Sequence, residues 1–191
     1  MINRVLTSAK NPNHETPESV LDLVRLLGPI AFDPCTTPAN PTGALFCMFP
    51  PSDGLLADCP LDALTFVNPP FGSGIARKRR RGNKRRKRKV GRKPWEHTIE
   101  QWCSWVIAQA ARGAELVFLG PGRIDTMWYG SLHDQAHAKL EWRGRITCKG
   151  SSSPAPFPIT LFYFGPRPWL FCHFGSQRGR VQVLRERSVA R

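Results

Sequence analysis

The feature that most constrains this chain is a short apolar run, Leu64-Thr65-Phe66-Val67, halted at Asn68-Pro69-Pro70-Phe71. Four strand-forming residues followed by two prolines predict a buried strand with a sharp end, because proline cannot donate to a sheet ladder. The chain therefore leaves a sheet at Asn68. That side chain offers a carbonyl, and the fixed φ of Pro70 can hold the Pro69 backbone carbonyl close to it. Two acceptors facing one spot suit a planar exocyclic NH2, which has two hydrogens to donate. Phe71 adds a flat face on which a heteroaromatic ring can stack. The plainer alternative is a strand end with a Pro-Pro turn and a buried Phe.

Other elements fall into place around this strand. Thr16 as cap, Pro17 in the first turn and Gly28-Pro29 after the end bracket a periodic stretch from Val20 to Leu27, predicting a helix of about three turns. Ile30-Ala31-Phe32 reads as a short strand delivering Asp33-Pro34-Cys35 to its carboxyl end. Residues 36–52 are proline-rich and read as an irregular loop, followed by Asp53-Gly54-Leu55. From Pro94 the spacing of Trp95, Ile99, Trp102, Val106, Ile107 and Ala110 is helical and ends at Gly113. Glu115 to Leu119 is a further buried strand, stopping at Gly120-Pro121-Gly122, and a second helix is expected from Asp125 to about Ala138. Strand-like pieces at 140–148, 159–164 and 168–174 suggest an antiparallel end to the sheet.

This order of elements predicts an α/β fold: one domain over 1–191, its sheet mostly parallel with antiparallel strands at one edge. Residues 1–13 and 185–191 are expected to be flexible termini. Ligands bind such sheets at the carboxyl ends of the strands, and Asp33, Asn68 and Gly120 all fall at that rim.

Composition narrows the setting. A hydrophobic fraction of 41% supports a real core, and no apolar run approaches a membrane span. The start of the chain lacks the apolar centre of a secretory signal. Six cysteines lie far apart with no Cys-x-x-Cys pair, which points to reduced thiols in a cytoplasm and away from a zinc ribbon. No metal is expected: His133 and His137 have the spacing to share one but lack a third ligand nearby.

The net charge of +14 is concentrated in one place. Arg77, Lys78, Arg79, Arg80, Arg81, Lys84, Arg85, Arg86, Lys87, Arg88, Lys89, Arg92 and Lys93 are thirteen of the 28 Lys and Arg, with no acid among them. Such a run repels itself until something anionic neutralises it. Next to an amine-binding motif, it is well sited to grip phosphates flanking an everted base, adding affinity and salt dependence but no sequence information. A nucleic-acid tail without a defined role, or a localisation-like basic patch, are the other readings.

Several blocks, in order, resemble the compact phage-type DNA N6-adenine methyltransferases. They are Thr16-Pro17, Phe32-Asp33-Pro34-Cys35, Asp53-Gly54-Leu55, Asn68-Pro69-Pro70-Phe71, the stretch from Leu119 to Trp128, Arg143-Gly144-Arg145-Ile146 and Pro154-Ala155-Pro156-Phe157-Pro158. Together they span roughly residues 14–165. The resemblance implies a reduced Rossmann-like methyltransferase sheet, S-adenosylmethionine as cofactor and double-stranded DNA as partner, in a bacterial cytoplasm and a phage or prophage setting. It implies catalytic roles for Asn68, Pro69, Pro70 and Phe71. Thr16 and Pro17 would lie beside the methionine end of the cofactor, Asp33, Pro34 and Cys35 would form its first motif, and Asp53, Gly54 and Leu55 would meet its adenine. Arg123 and Trp128 would contact DNA or close the site, and residues 75–94 would be an insertion. No Gly-x-Gly follows Asp33, a departure from the broader methyltransferase pattern.

Three of these positions have local alternatives. Thr16-Pro17 can be only a helix cap, and Asp53-Gly54 only a solvated turn. Pro34-Cys35 matches the nucleophile of cytosine carbon-5 methyltransferases, but an exocyclic amine needs no covalent adduct. The rival functions are cytosine N4 methylation, methylation of a protein or RNA amine, and a non-catalytic DNA-binding protein on a decayed methyltransferase scaffold.

Overall fold

A computed structural model of the chain describes residues 15–71 and 96–185. The expected basic insertion at 75–94 and the expected flexible termini at 1–13 and 185–191 lie outside the described residues, position 185 excepted.

Seven strands form one mixed sheet: β1 (Ile30–Asp33), β2 (Phe46–Cys47), β3 (Leu64–Val67), β4 (Glu115–Pro121), β5 (Ala138–Trp142), β6 (Ile159–Phe164) and β7 (Gly179–Val183). Their order across the sheet is β2-β1-β3-β4-β6-β5-β7. The half from β2 to β4 is parallel, and every pairing beyond β4 is antiparallel. The antiparallel part is thus half of the pairings and not merely an edge. Residues of β1, β3 and β6 are buried throughout, as expected of strands covered on both faces.

Among the described residues, four helices cover the sheet: α1 (Glu18–Arg25), α2 (Ile99–Ala111), α3 (Met127–Gln135) and α4 (Pro168–Gly175). On one side, α1 inserts Val20, Leu21, Leu23 and Val24 into a core shared with Phe66, Leu119, Leu161 and Tyr163. On the other, Trp102, Trp105 and Val106 of α2 pack with Tyr129 and Leu132 of α3 over Phe118 and Phe162. Each fully buried large apolar side chain contributes roughly 1.5–3 kcal/mol, so either layer is a substantial fraction of the fold's stability.

The structure corrects several boundaries. Helix α1 is capped at Pro17, and Thr16 makes no cap bond. Helix α2 begins at a capping box in which the Thr98 hydroxyl accepts from the Gln101 N–H and the Gln101 side chain accepts from the Thr98 N–H, later than the expected start at Pro94. Helix α3 is shorter than expected, and Ala138 belongs to β5. The expected strand at 140–148 begins at Ala138 and ends at Trp142. The loop at 36–52 contains β2, paired with β1 through Phe32–Phe46 and Asp33–Cys47.

The largest correction is at 168–174, expected as a strand and found as α4. Its apolar run resembles a strand, yet Pro168, Phe171, Cys172 and Gly175 are buried at three- and four-residue steps. Phe171 stacks on Tyr163 with centroids 5.2 Å apart, and Pro168 occupies the first helical position where its missing N–H costs nothing. The last strand is instead β7. Among the described residues, no helix is long and apolar enough to cross a membrane.

Candidate functional site

From β1 the chain moves outward to β2, then returns to place β3 on the other flank of β1. Strand order therefore reverses between β1 and β3, and the crevice outside their carboxyl ends is where an α/β sheet takes a ligand. Asp33 ends β1 and Asn68 follows β3, so the two stand on either side of that crevice.

Asn68 is half-buried and held from two directions. Its Nδ2 donates to Thr16 Oγ1 at 2.7 Å, across 52 residues of sequence. Its backbone N–H lies near the Cys35 thiol and lowers the thiol's pKa slightly against the rise that burial causes. Pro69 is buried and Pro70 exposed, so the chain turns outward directly after the strand. The structure thus brings Thr16, Cys35 and Asn68 together from three separate blocks.

Asp33 is only 3% exposed. Its Oδ1 accepts from the Cys35 N–H at 3.1 Å and its Oδ2 from the Thr42 hydroxyl at 3.0 Å, while its carbonyl accepts from the Met48 N–H. These bonds fold the 34–48 segment back over the end of β1. Burial raises the Asp33 carboxyl from 3.8 to about 6, against the lowering effect of the Cys35 and Thr42 bonds. Among the described residues no cation is recorded against it. Cys35 beside it is a poor nucleophile: burial, with the neighbouring Asp33 charge, pushes its thiol well above the usual range.

Asp53 caps a single 3-10 turn, Gly54–Leu56, by accepting from the Leu55 N–H at 3.0 Å. The same oxygen lies 2.6 Å from His97 Nε2, in a pair whose side chains are 16% and 11% exposed. Asp53 is therefore not a solvated turn residue. Gly54 is required by contact: a Cβ there would overlap the Pro34 carbonyl oxygen, with a Trp102 ring carbon 2.9 Å away. This seats the 53–55 segment directly on the Pro34 corner.

A cavity of about 220 Å³ opens at the carboxyl ends of β3 and β4, lined by Phe71, Ile99, Pro121, Arg123, Thr126 and Trp128. It is smaller than the usual drug-sized pocket and is walled by aromatic rings on two sides. Phe157 meets Phe71 edge to face, with centroids 6.0 Å apart. Phe157 is brought there by the β4–β6 pairing, which continues to a Gly122 N–H bond onto the Pro158 carbonyl at 2.7 Å. Trp128 is 9% exposed and acts as a wall, whereas Arg123 is half-exposed and paired with Asp125. Asn68 is not part of the cavity wall; Phe71, three residues on, is the link. A second cavity of about 320 Å³ lies on the flank of β1 and β2, lined by Phe32, Phe46, Ala57, Asp58, Cys59 and Pro60.

The chain matches no protein-family model, no curated protein and no solved structure.

The thirteen cations from Arg77 to Lys93 lie outside the described residues. His133 and His137 do not share a helix, since His137 follows α3 and its Nδ1 accepts from the Gly165 N–H at 2.9 Å. Among the described residues, no group of three His, Cys, Asp or Glu is placed to hold a metal ion. All six cysteines are free. Sequence reasoning missed His97 and Thr42, and named Phe157 within a block without giving it a role. The capping box at Thr98 was a legible signal for the first of these, since it sets where α2 begins and so where His97 lies.

Proposed function

We propose that the protein is an S-adenosylmethionine-dependent methyltransferase acting on an exocyclic amine of a DNA base, adenine N6, with a sheet that is a reduced form of the Rossmann-like methyltransferase sheet. The observation that carries this reading is convergence. Thr16, the Asp33-Pro34-Cys35 corner and Asn68, distant in sequence, meet where the strand order reverses.

The residues present fit the cofactor. Asp33 is a buried carboxylate that no cation among the described residues pairs, held at a rim where ligands bind. A cofactor carrying an ammonium and a sulfonium supplies that missing charge. Asp33 and the 53–55 segment are the groups that would hold it, and what it would supply when bound is an electrophilic methyl group.

The chain's own residues do the rest. Adenine N6 is a poor nucleophile because its lone pair is delocalised into the ring. Asn68 Oδ1 and the Pro69 carbonyl accept its two protons in hydrogen bonds, which favours a pyramidal, electron-rich nitrogen and stabilises the positive charge that develops there. The extruded base would lie between Asn68 and the cavity that Phe71 helps to wall, and stacking on Phe71 offsets part of the few kcal/mol of unstacking. The proton is lost after transfer, so no strong general base is needed. The cations of 77–93 neutralise flanking phosphates.

The test is incubation with methyl-labelled S-adenosylmethionine and double-stranded DNA, followed by digestion and identification of the modified nucleoside. N6-methyladenine is the expected product. N4-methylcytosine would move the assignment to the other amine, and tight DNA binding with neither transfer nor cofactor binding would replace it with the scaffold reading.

A further inference from the structure

The Thr16–Asn68 hydrogen bond has a specific chemical consequence. An asparagine side chain can present either its carbonyl or its NH2 to a ligand, and a half-turn about its last torsion exchanges the two. Only the carbonyl is of use to an amine substrate. A substrate NH2 facing the Asn68 NH2 would meet donor with donor.

We infer that Thr16 is a positioning residue that fixes the Asn68 amide so that its Oδ1 alone faces the substrate amine. This deepens the methyltransferase reading and rests on it. The contact is short, 2.7 Å from Nδ2 to Oγ1, and Thr16 is 5% exposed, so water does not compete freely for the Thr16 hydroxyl. Thr16 is itself held on both sides. Before it, the Glu15 carbonyl accepts from the Lys149 N–H in an isolated antiparallel bridge. After it, Pro17 caps α1, which is anchored by four buried apolar residues. The Asn68 backbone is fixed separately, because it directly follows the wholly buried strand β3. Backbone and amide plane are thus set by two different partners, and no donor onto Oδ1 is recorded among the described residues. The amide reaches its productive orientation before substrate arrives, and that preorganisation is what raises the rate.

Two substitutions separate this role from direct contact with the cofactor. Thr16→Val keeps the shape and removes the acceptor, while Thr16→Ser keeps the hydroxyl. Thr16→Val is expected to lower kcat about 10- to 100-fold with KM for S-adenosylmethionine changed less than about threefold, and Thr16→Ser to restore kcat to within a few-fold. A rise in KM for the cofactor with kcat preserved would overturn the inference, because Thr16 would then be a cofactor ligand only. A second readout needs no turnover. With Asn side chains labelled with nitrogen-15, one Asn68 NH2 proton should exchange slowly with solvent in the native protein and in Thr16→Ser, and both should exchange quickly in Thr16→Val. Fast exchange of both protons in the native protein would mean that Thr16 donates to Oδ1, and would overturn the inference whether or not the protein methylates DNA. Absence of any methyl transfer by the native protein, with the slow proton observed, would instead overturn the proposed reaction.

Discussion

Two polar clusters sit at opposite ends of this sheet, and they are built on opposite plans. At the amino end of β4, Glu115 is consumed by the protein. Its Oε1 accepts from the Tyr163 hydroxyl at 2.5 Å and from Arg167 Nε and Nη2, while its Oε2 accepts from Arg167 Nη2 at 2.9 Å. The Arg167 N–H then donates to the Tyr163 oxygen, closing the circuit. Burial, reinforced by the Glu115 bond and charge, pushes the Tyr163 hydroxyl well above its ordinary range, so it stays a donor at any physiological pH. At the carboxyl rim, among the described residues, nothing donates to Asn68 Oδ1 and no cation pairs the buried Asp33 carboxylate, whose oxygens accept from the Cys35 N–H and the Thr42 hydroxyl. One cluster is finished by folding, and the other is the one that the proposed reading completes with a ligand.

The largest expected effect that tests this contrast is at Asn68. Removing one preorganised polar group from a reacting centre costs roughly 10²- to 10³-fold in rate. Asn68→Ala should therefore lose at least that much methyl transfer while binding S-adenosylmethionine with near-native affinity by calorimetry. Comparable turnover in the mutant would place the chemistry elsewhere. Next comes deletion of 77–92, which removes twelve of the 28 cations. DNA affinity should drop more than about tenfold near 0.1 M salt. The slope of log K against log salt should flatten by about 0.9 for each phosphate that the shortened chain leaves un-neutralised; an unchanged slope would show that the run does not touch phosphate.

Asp33 gives the third test, through pH. Its folded carboxyl titrates at about 6 and its unfolded one near 3.8, so the folded state holds the proton more tightly. Folding is favoured by this group below about pH 4, and stability falls as pH rises from about 4 to about 6. Two pKa units correspond to about 3 kcal/mol. A cationic cofactor prefers the ionised form, so its affinity should decrease about tenfold for each unit of pH lowered below about 6. Asp33→Asn should flatten that dependence and remove the fall in thermal stability over the same range. The smallest expected effect on function is at the closed cluster. Glu115→Ala leaves the buried Tyr163 hydroxyl without its acceptor and should cost roughly 1–3 kcal/mol in chemical denaturation. Methyl transfer at room temperature should be unchanged, since the cluster lies at the far end of the sheet.

In the parallel half of the sheet β1, β3 and β4 were legible because their signals are local, whereas β2, two residues inside the proline-rich loop, was not. Ile30-Ala31-Phe32 before Asp33-Pro34, and Leu64 to Val67 before Asn68-Pro69-Pro70, each announce both a strand and where it stops. Asp33 and Asn68 could be placed at one rim for the same reason. Helix α4 was misread because Trp169-Leu170-Phe171-Cys172 is apolar enough for a strand, and only packing against Tyr163 selects the helical period. The bonds that organise the site were not legible. Thr16 to Asn68 spans 52 residues and Asp53 to His97 spans 44. Nothing in the spacing of either pair within the sequence reports a contact that tertiary folding creates.

Phe71 and Ile99 line the same cavity, and His97 is moored to Asp53. The chain therefore departs and returns at one doorway. For a segment whose two ends are already pinned together, doubling its length adds only about 0.6 kcal/mol of closure entropy. A change in the length or charge of the sequence between Phe71 and Glu96 should therefore cost the described fold little.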